Sequence, residues 1–207
     1  PGPRQTWPEE ASVKDIGGIL YPSVTEVLGA VGLGWNLNGI PAATLEYARM
    51  RGKALHQAVQ WDHEGVLDES SLHPDVEPGF RAYQRFRKET HYEPLLSEVE
   101  IIEPTWKYLS HIDQIGRWNR DPRHVRRVLL DWKYTDSPDL LAASYQLAGY
   151  VRAWTATHPQ EPIDQVLVLQ LKHDGTYRVH QVDAKKYDQV FLAALIVFRA
   201  RMEGGNP

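Results

Sequence analysis

Asp131 and Lys133 lie in the run Val128-Leu129-Leu130-Asp131-Trp132-Lys133. A carboxylate beside an ammonium can hold a divalent cation and steer a water, which is the chemistry of hydrolysis. The run reads as an apolar strand whose period-2 alternation sets Asp131 and Lys133 on one face and Val128, Leu130 and Trp132 on the other. Asp-x-Lys alone is weak, since chance supplies one in roughly half of chains this long. The chain carries its own comparison in Asp183-Ala184-Lys185. That triplet falls between a strand-like and a helix-like run, where Asp is the expected N-cap. Context therefore separates the two. The other candidates are His56 in Arg51-Gly52-Lys53-Ala54-Leu55-His56, Glu98 and Glu100, His111 and Asp113, and Gln146 with Tyr150.

The elements that would carry these residues follow from the hydrophobic spacing. Val13-Lys14-Asp15 and Ile19-Leu20-Tyr21 flank Gly17-Gly18, which supplies the positive φ of a tight hairpin. Ser23 and Glu26 have capping-box spacing before an apolar run, so a helix starts there. Its first turn is either a simple cap or, through Ser23 and Thr25, a seat for phosphate. Leu45, Ala48, Leu55 and Val59 predict a helix from about Pro41 to Trp61 that carries His56, with a second over about 78–90 turning Phe80, Tyr83 and Phe86 inward. A histidine on a helix is usually structural, and becomes a natural ligand only if carboxylates gather beside it.

After Pro94 strand patterning takes over, with runs over 96–102, 106–115 and the Asp-x-Lys strand. Alternation predicts shared faces for Glu98 with Glu100 and for His111 with Asp113, so three neighbouring strands would each offer an acid. The basic run from Arg117 to Arg127, with Arg120 and Arg123, reads equally as a solvated hairpin loop or as a phosphate-contacting arm. A helix over about 138–158 carries Leu141, Tyr145, Ala148 and Val151 along one side, and places Gln146 and Tyr150 together at i and i+4. A hairpin across Asp174-Gly175 and a terminal helix over about 184–202, with Val190, Leu195, Val197 and Phe198 for packing, close the pattern. This order predicts an α+β fold with a mixed central sheet flanked by helices.

The bulk numbers bound the possibilities. A chain of 207 residues with 42% apolar content can bury one sizeable core. One domain over 1–203 with a flexible tail over 204–207 is expected. The net charge of −4 gives no broad basic face, so any nucleic-acid contact is a lined groove. No cysteine is present, which excludes disulfides, iron–sulfur clusters and thiolate zinc sites. No signal sequence and no long apolar run appear, so a cytoplasmic protein without membrane contact is expected. There is no phosphate-binding Gly-x-x-x-x-Gly-Lys-Ser/Thr, and Gly29, Gly32 and Gly34 do not form a dinucleotide fingerprint, so no nucleotide cofactor is expected.

Taken together, Pro22-Ser23-Val24-Thr25, Arg51-Gly52-Lys53-Ala54-Leu55-His56, Ser97-Glu98-Val99, Ile112-Asp113, Asp131-Trp132-Lys133 and Gln146-x-x-x-Tyr150 resemble a known pattern. It is that of the RecB-type exonucleases of the PD-(D/E)xK nuclease superfamily, and within them the mitochondrial genome maintenance exonuclease group with its phage and bacterial relatives. The match spans roughly residues 19–150 and departs at Ser110, where the family often has glycine. The resemblance implies a restriction-endonuclease-like core and a metal-dependent exonuclease acting on single-stranded DNA ends in repair, recombination or replication. It implies that His56, Asp113, Asp131 and the Trp132 carbonyl hold Mg²⁺ or Mn²⁺, with Glu98 and Glu100 available to a second metal or as supports. It implies further that Lys133 orients or deprotonates the attacking water, and that Gln146 and Tyr150 organise the site. Ser23, Thr25, Arg51, Lys53, Arg120 and Arg123 would contact DNA. A single-strand-binding or replication or recombination protein would be a natural partner, in a bacterial or phage-infected cytoplasm or an organellar matrix.

Three other readings compete. A catalytically inactive DNA-binding module of the same fold predicts a broken motif, yet His56, Asp113, Asp131 and Lys133 are all present. A zinc hydrolase built on His111-x-Asp113 lacks a His-Glu-x-x-His motif and any cysteine. A structural domain with a surface Asp-x-Lys predicts insensitivity to chelators. Neighbouring carboxylates and a nearby cation pull the Lys133 pKa in opposite directions, and the sequence leaves that balance open.

Overall fold

The computed structural model describes residues 13–118 and 125–204. Two short strands, β1 (Val13–Ile16) and β2 (Ile19–Pro22), form the expected hairpin, and Gly17 and Gly18 both take positive φ, at 62° and 80°. Helix α1 (Val24–Ala30) follows, capped by Ser23, whose Oγ accepts from the Glu26 amide at 3.1 Å. The long helix α2 (Ala42–Glu64) and helix α3 (Glu77–Thr90) precede three strands, β3 (Tyr92–Glu103), β4 (Tyr108–Trp118) and β5 (Arg126–Tyr134). Helix α4 (Leu140–Thr157) crosses over to β6 (Gln165–Leu171), which turns into β7 (Tyr177–Gln181) before helix α5 (Ala184–Gly204).

The five longer strands form one mixed sheet in the order β3-β4-β5-β6-β7. Only β5 and β6 run parallel, as the helical crossover α4 between them allows, and the other neighbouring pairs are antiparallel. Helices cover both faces. Val24, Leu28, Ile112, Leu129, Leu147 and Phe191 build the core under α1, α4 and α5. Leu55, Phe80, Tyr83, Leu130, Trp132 and Leu169 build the core under α2 and α3. Strand β5 alternates between them: Val128, Leu130 and Trp132 enter the second core, which turns Asp131 and Lys133 toward α4. The structure is thus α+β, with a five-stranded mixed sheet flanked by helices. No helix among the described residues is long and apolar enough to cross a membrane.

Some apolar positions do not pack as their spacing predicts. In α2 the residues before Arg51 are exposed but for the half-buried Leu45, and burial begins at Leu55. Ala48 is exposed with its neighbours, and the first turns of α2 are held through the Tyr47 hydroxyl on Asp75 rather than through buried apolar contacts. Leu141 is exposed on α4, which buries Ala142, Ala143, Leu147 and Tyr150 instead. Val197 is exposed on α5, which packs chiefly along α4 and α1 and reaches β4 through Phe191 on Tyr108.

Candidate metal centre

The site begins where a strand ladder stops. Strands β4 and β5 pair from Trp118 with Arg126 as far as Gln114 with Leu130. Beyond that point the Trp132 amide donates to Asp113 Oδ2 at 2.9 Å, in the place of a backbone carbonyl. The opening brings Asp113 and Asp131 into one buried notch. On the far side of β4, Glu98 lies between Ser97, paired with Gln114, and Val99, paired with Ile112. Glu98 has φ of 52°, the left-handed region that non-glycine residues seldom occupy. Ser97 is pinned beside it: its hydroxyl accepts from Gln114 Nε2 at 2.9 Å and bonds His63 Nδ1 at 3.0 Å.

The two glutamates of β3 find different partners. Glu98 Oε1 lies 3.0 Å from His56 Nδ1, and Oε2 lies 2.8 Å from His111 Nε2. Glu100 instead pairs with Lys14 of β1 and takes no part in the cluster. His56 comes from α2, with its ring 5.1 Å from that of Trp132 and Nδ1 3.8 Å from Asp113 Oδ1. His56, Glu98 and Asp113 each offer one donor atom, all within 4.8 Å of one another. Of the expected ligands, His56 and Asp113 are therefore brought together, and Glu98 joins them. Asp131 stands beside this trio, and Trp132 reaches it through its amide.

A second set of contacts organises Asp131. Its Oδ1 accepts from Lys133 Nζ at 2.9 Å and from Gln146 Nε2 at 3.4 Å, while its fully buried Oδ2 has no partner among the described residues. Gln146 Oε1 also accepts from Lys133 at 3.3 Å, and its Nε2 donates to the Tyr150 hydroxyl at 2.6 Å. The i, i+4 pair on α4 thus reaches the strand that carries Asp-x-Lys. An unpaired buried carboxylate oxygen is costly to leave in place, and a cation would satisfy it.

The electrostatics are those of acids and bases set against one another. Burial raises the Asp113 pKa, which reaches about 7 with Asp131 adding to the shift and His56 opposing it. Burial opposes charge on His56, but Asp113 and Glu98 outweigh it and hold its pKa at about 9. Burial likewise works against ionised Glu98, yet hydrogen bonds from His111 and His56 bring it down to about 2. For Lys133 burial favours the neutral amine, and Asp131 with Asp113 overcomes this and raises the pKa. The donor set, one imidazole with carboxylates, suits a hard or borderline divalent ion.

The remaining candidates lie around this centre. Ser23 caps α1, with its hydroxyl also 3.2 Å from that of Thr25. Arg51 stacks on Tyr134 and Tyr47, at 4.8 and 5.8 Å from the ring centroids, and Lys53 is exposed on α2. Arg120 and Arg123 fall outside the described residues. The strand ends that flank their segment lie about 17 Å along β4 and β5 from Asp113 and Asp131, at the usual rise per residue. Trp35, which spacing did not single out, places its ring 5.5 Å from Lys133 Nζ. Asp183 of the second Asp-x-Lys lies exposed just before α5, with its carbonyl accepting from Lys186.

No family model and no curated protein sequence matches this chain. Among solved structures, the crystal structure of SSO0001 aligns over 71% of this chain and 74% of its own, at 13% identity and a TM-score of 0.33. A likeness at that level carries no argument about fold or activity.

Proposed function

We propose that this chain is a Mg²⁺- or Mn²⁺-dependent deoxyribonuclease with a PD-(D/E)xK, restriction-endonuclease-like core. In this reading it is a RecB-type exonuclease that hydrolyses phosphodiester bonds at single-stranded DNA ends in repair, recombination or replication. One observation carries the reading. The Lys133–Asp131–Gln146–Tyr150 chain abuts the His56–Glu98–Asp113 trio, and the oxygen of Asp131 that faces no protein donor is buried there.

The contacts support these roles. His56, Glu98, Asp113 and Asp131 are the residues that would hold the ion. When bound, Mg²⁺ or Mn²⁺ supplies a Lewis acid for the phosphate and acidifies water. Lys133 is held by Asp131 and Gln146, which fixes its ammonium as a donor toward the attacking water and the phosphate oxygens. Gln146 locks Lys133 and Asp131 to one another, and Tyr150 fixes the amide of Gln146. Trp132 holds Asp113 from its backbone amide. Ser23, Thr25, Arg51 and Lys53 are the DNA contacts of this reading among the described residues.

The test is digestion of end-labelled single-stranded DNA with Mg²⁺, with Mn²⁺ and with chelator, beside the Lys133→Ala protein. Metal-dependent shortening that falls by at least about 100-fold in the variant is the expected result, the usual scale for a lost positioning or proton-transfer group. Wild-type rates in Lys133→Ala would overturn the assignment. Retained DNA binding with no cleavage would instead favour an inactive DNA-binding module of the same fold.

A further inference from the structure

We infer that Trp35 is a stacking platform for an unpaired nucleobase, and that it makes this site select single strands over duplex. The inference rests on the nuclease reading of the Lys133 centre and adds a residue that determines its specificity.

Trp35 belongs to the linker between α1 and α2, where Leu37 and Ile40 are exposed as well. Trp35 is 37% exposed, so part of this large aromatic side chain stays open to a ligand. The ring is not placed at random, because it lies against the ammonium of Lys133, which also bonds Asp131 and Gln146. A phosphate held at Lys133 therefore brings its own nucleoside beside the indole. Stacking on an aromatic ring tolerates any base, since every base has a π face, but that face must be uncovered. In a duplex the neighbouring pair covers it, and the base must leave its stack first.

A second feature on the same strand end fits the adjoining backbone. Tyr134 follows Lys133 on β5, and Arg51 of α2 lies over its ring and that of Tyr47. Arg51 has no ion pair or hydrogen bond among the described residues, and its Nε is buried without a partner. A guanidinium fixed between aromatic rings, with its hydrogen-bonding groups uncommitted, is a seat for a phosphate oxygen. Tyr47 and Met50 are exposed on the same overhanging part of α2. Aromatic platforms alternating with cations are what a single-stranded polynucleotide requires of its groove.

The test compares the full chain with Trp35→Leu, which keeps apolar bulk but removes the ring face, and with Trp35→Phe, which keeps a ring. Thermal melts establish that each is folded. Binding of a fluorescent single-stranded oligonucleotide and of its duplex is measured in chelator, and KM and kcat are measured in Mn²⁺. Trp35→Leu is expected to weaken single-strand binding and raise KM by about tenfold, the scale of one lost base–aromatic stack. Its kcat and its duplex binding should stay near wild type, and Trp35→Phe should recover most of the loss. Wild-type affinity in Trp35→Leu, or equal losses on single strand and duplex, would overturn the inference while leaving the nuclease reading intact. A wild-type protein that binds single strands through Trp35 and cuts nothing in any metal would do the reverse.

Discussion

Replacing the Glu98 carboxylate by an amide of the same shape, as Glu98→Gln does, removes one of three clustered donors and the partner of two histidines. Mn²⁺ affinity measured by calorimetry should fall by at least about tenfold, the lower end of what even outer supports of a metal site contribute. Glu100→Gln should leave that affinity unchanged, since Glu100 is engaged with Lys14. Equal losses in the two variants would return the glutamates to one shared role. The contrast also marks how far the sequence reaches at this scale. Asp131 and Lys133 were legible because period-2 alternation holds along β5, and Gln146 with Tyr150 because a helix brings i and i+4 together. Which of Glu98 and Glu100 joins the cluster was not legible, because it depends on the partners that α2 and β1 bring and on the left-handed backbone at Glu98, none of which follows from alternation. Trp35 was not legible at all, since a linker has no period from which to read a side chain's direction.

Helix α4 shows how an element holds the site. Asp139 caps it, with Oδ1 accepting from the Leu141 and Ala142 amides at 3.1 and 3.0 Å. Asp139→Ala should cost about 1 kcal/mol in urea unfolding, the usual value of an N-cap side chain. Asp183→Ala, at the start of α5, should cost a similar amount at most and leave cleavage unchanged. A cleavage defect there would mean that the second Asp-x-Lys had been set aside wrongly. The elements themselves were largely legible, because capping residues, turn glycines and apolar spacing agree along most of the chain. The failures fall where helices outrun their support. Spacing predicts which residues of α2 share a face, yet whether a layer exists for that face to cover depends on how far the sheet extends. The exposed turns of α2 are the same ones that hold Tyr47, bonded to Asp75, and Arg51, over the Tyr134 ring, near the end of β5.

The whole molecule should register the clustered charges as a dependence of stability on pH. Asp113 and His56 bind protons more tightly in the fold than their ordinary values of 3.8 and 6.5 allow, with pKa values near 7 and 9. Their contribution is complete below those ordinary values and is lost as pH rises through 7 and then 9. Glu98 acts in the opposite sense: its contribution is present above its ordinary 4.5 and is lost as pH falls toward about 2. The metal-free chain should therefore melt lower at about pH 8 than at about pH 6, by linkage through Asp113 and His56. A divalent ion needs Asp113 ionised and His56 neutral, so Mn²⁺ should raise the melting temperature more at the higher pH. Calorimetric scans at both values would check this, and an equal metal effect would count against the cluster as the ion's seat. The end of the β4–β5 ladder gives a way to watch the same event at one atom. Because the Trp132 amide hydrogen rests on the Asp113 carboxylate, its resonance and its rate of exchange with deuterium are tied to that carboxylate's state. Isotope-labelled protein would then report protonation or cation capture at the centre from a backbone signal, without any substrate being turned over.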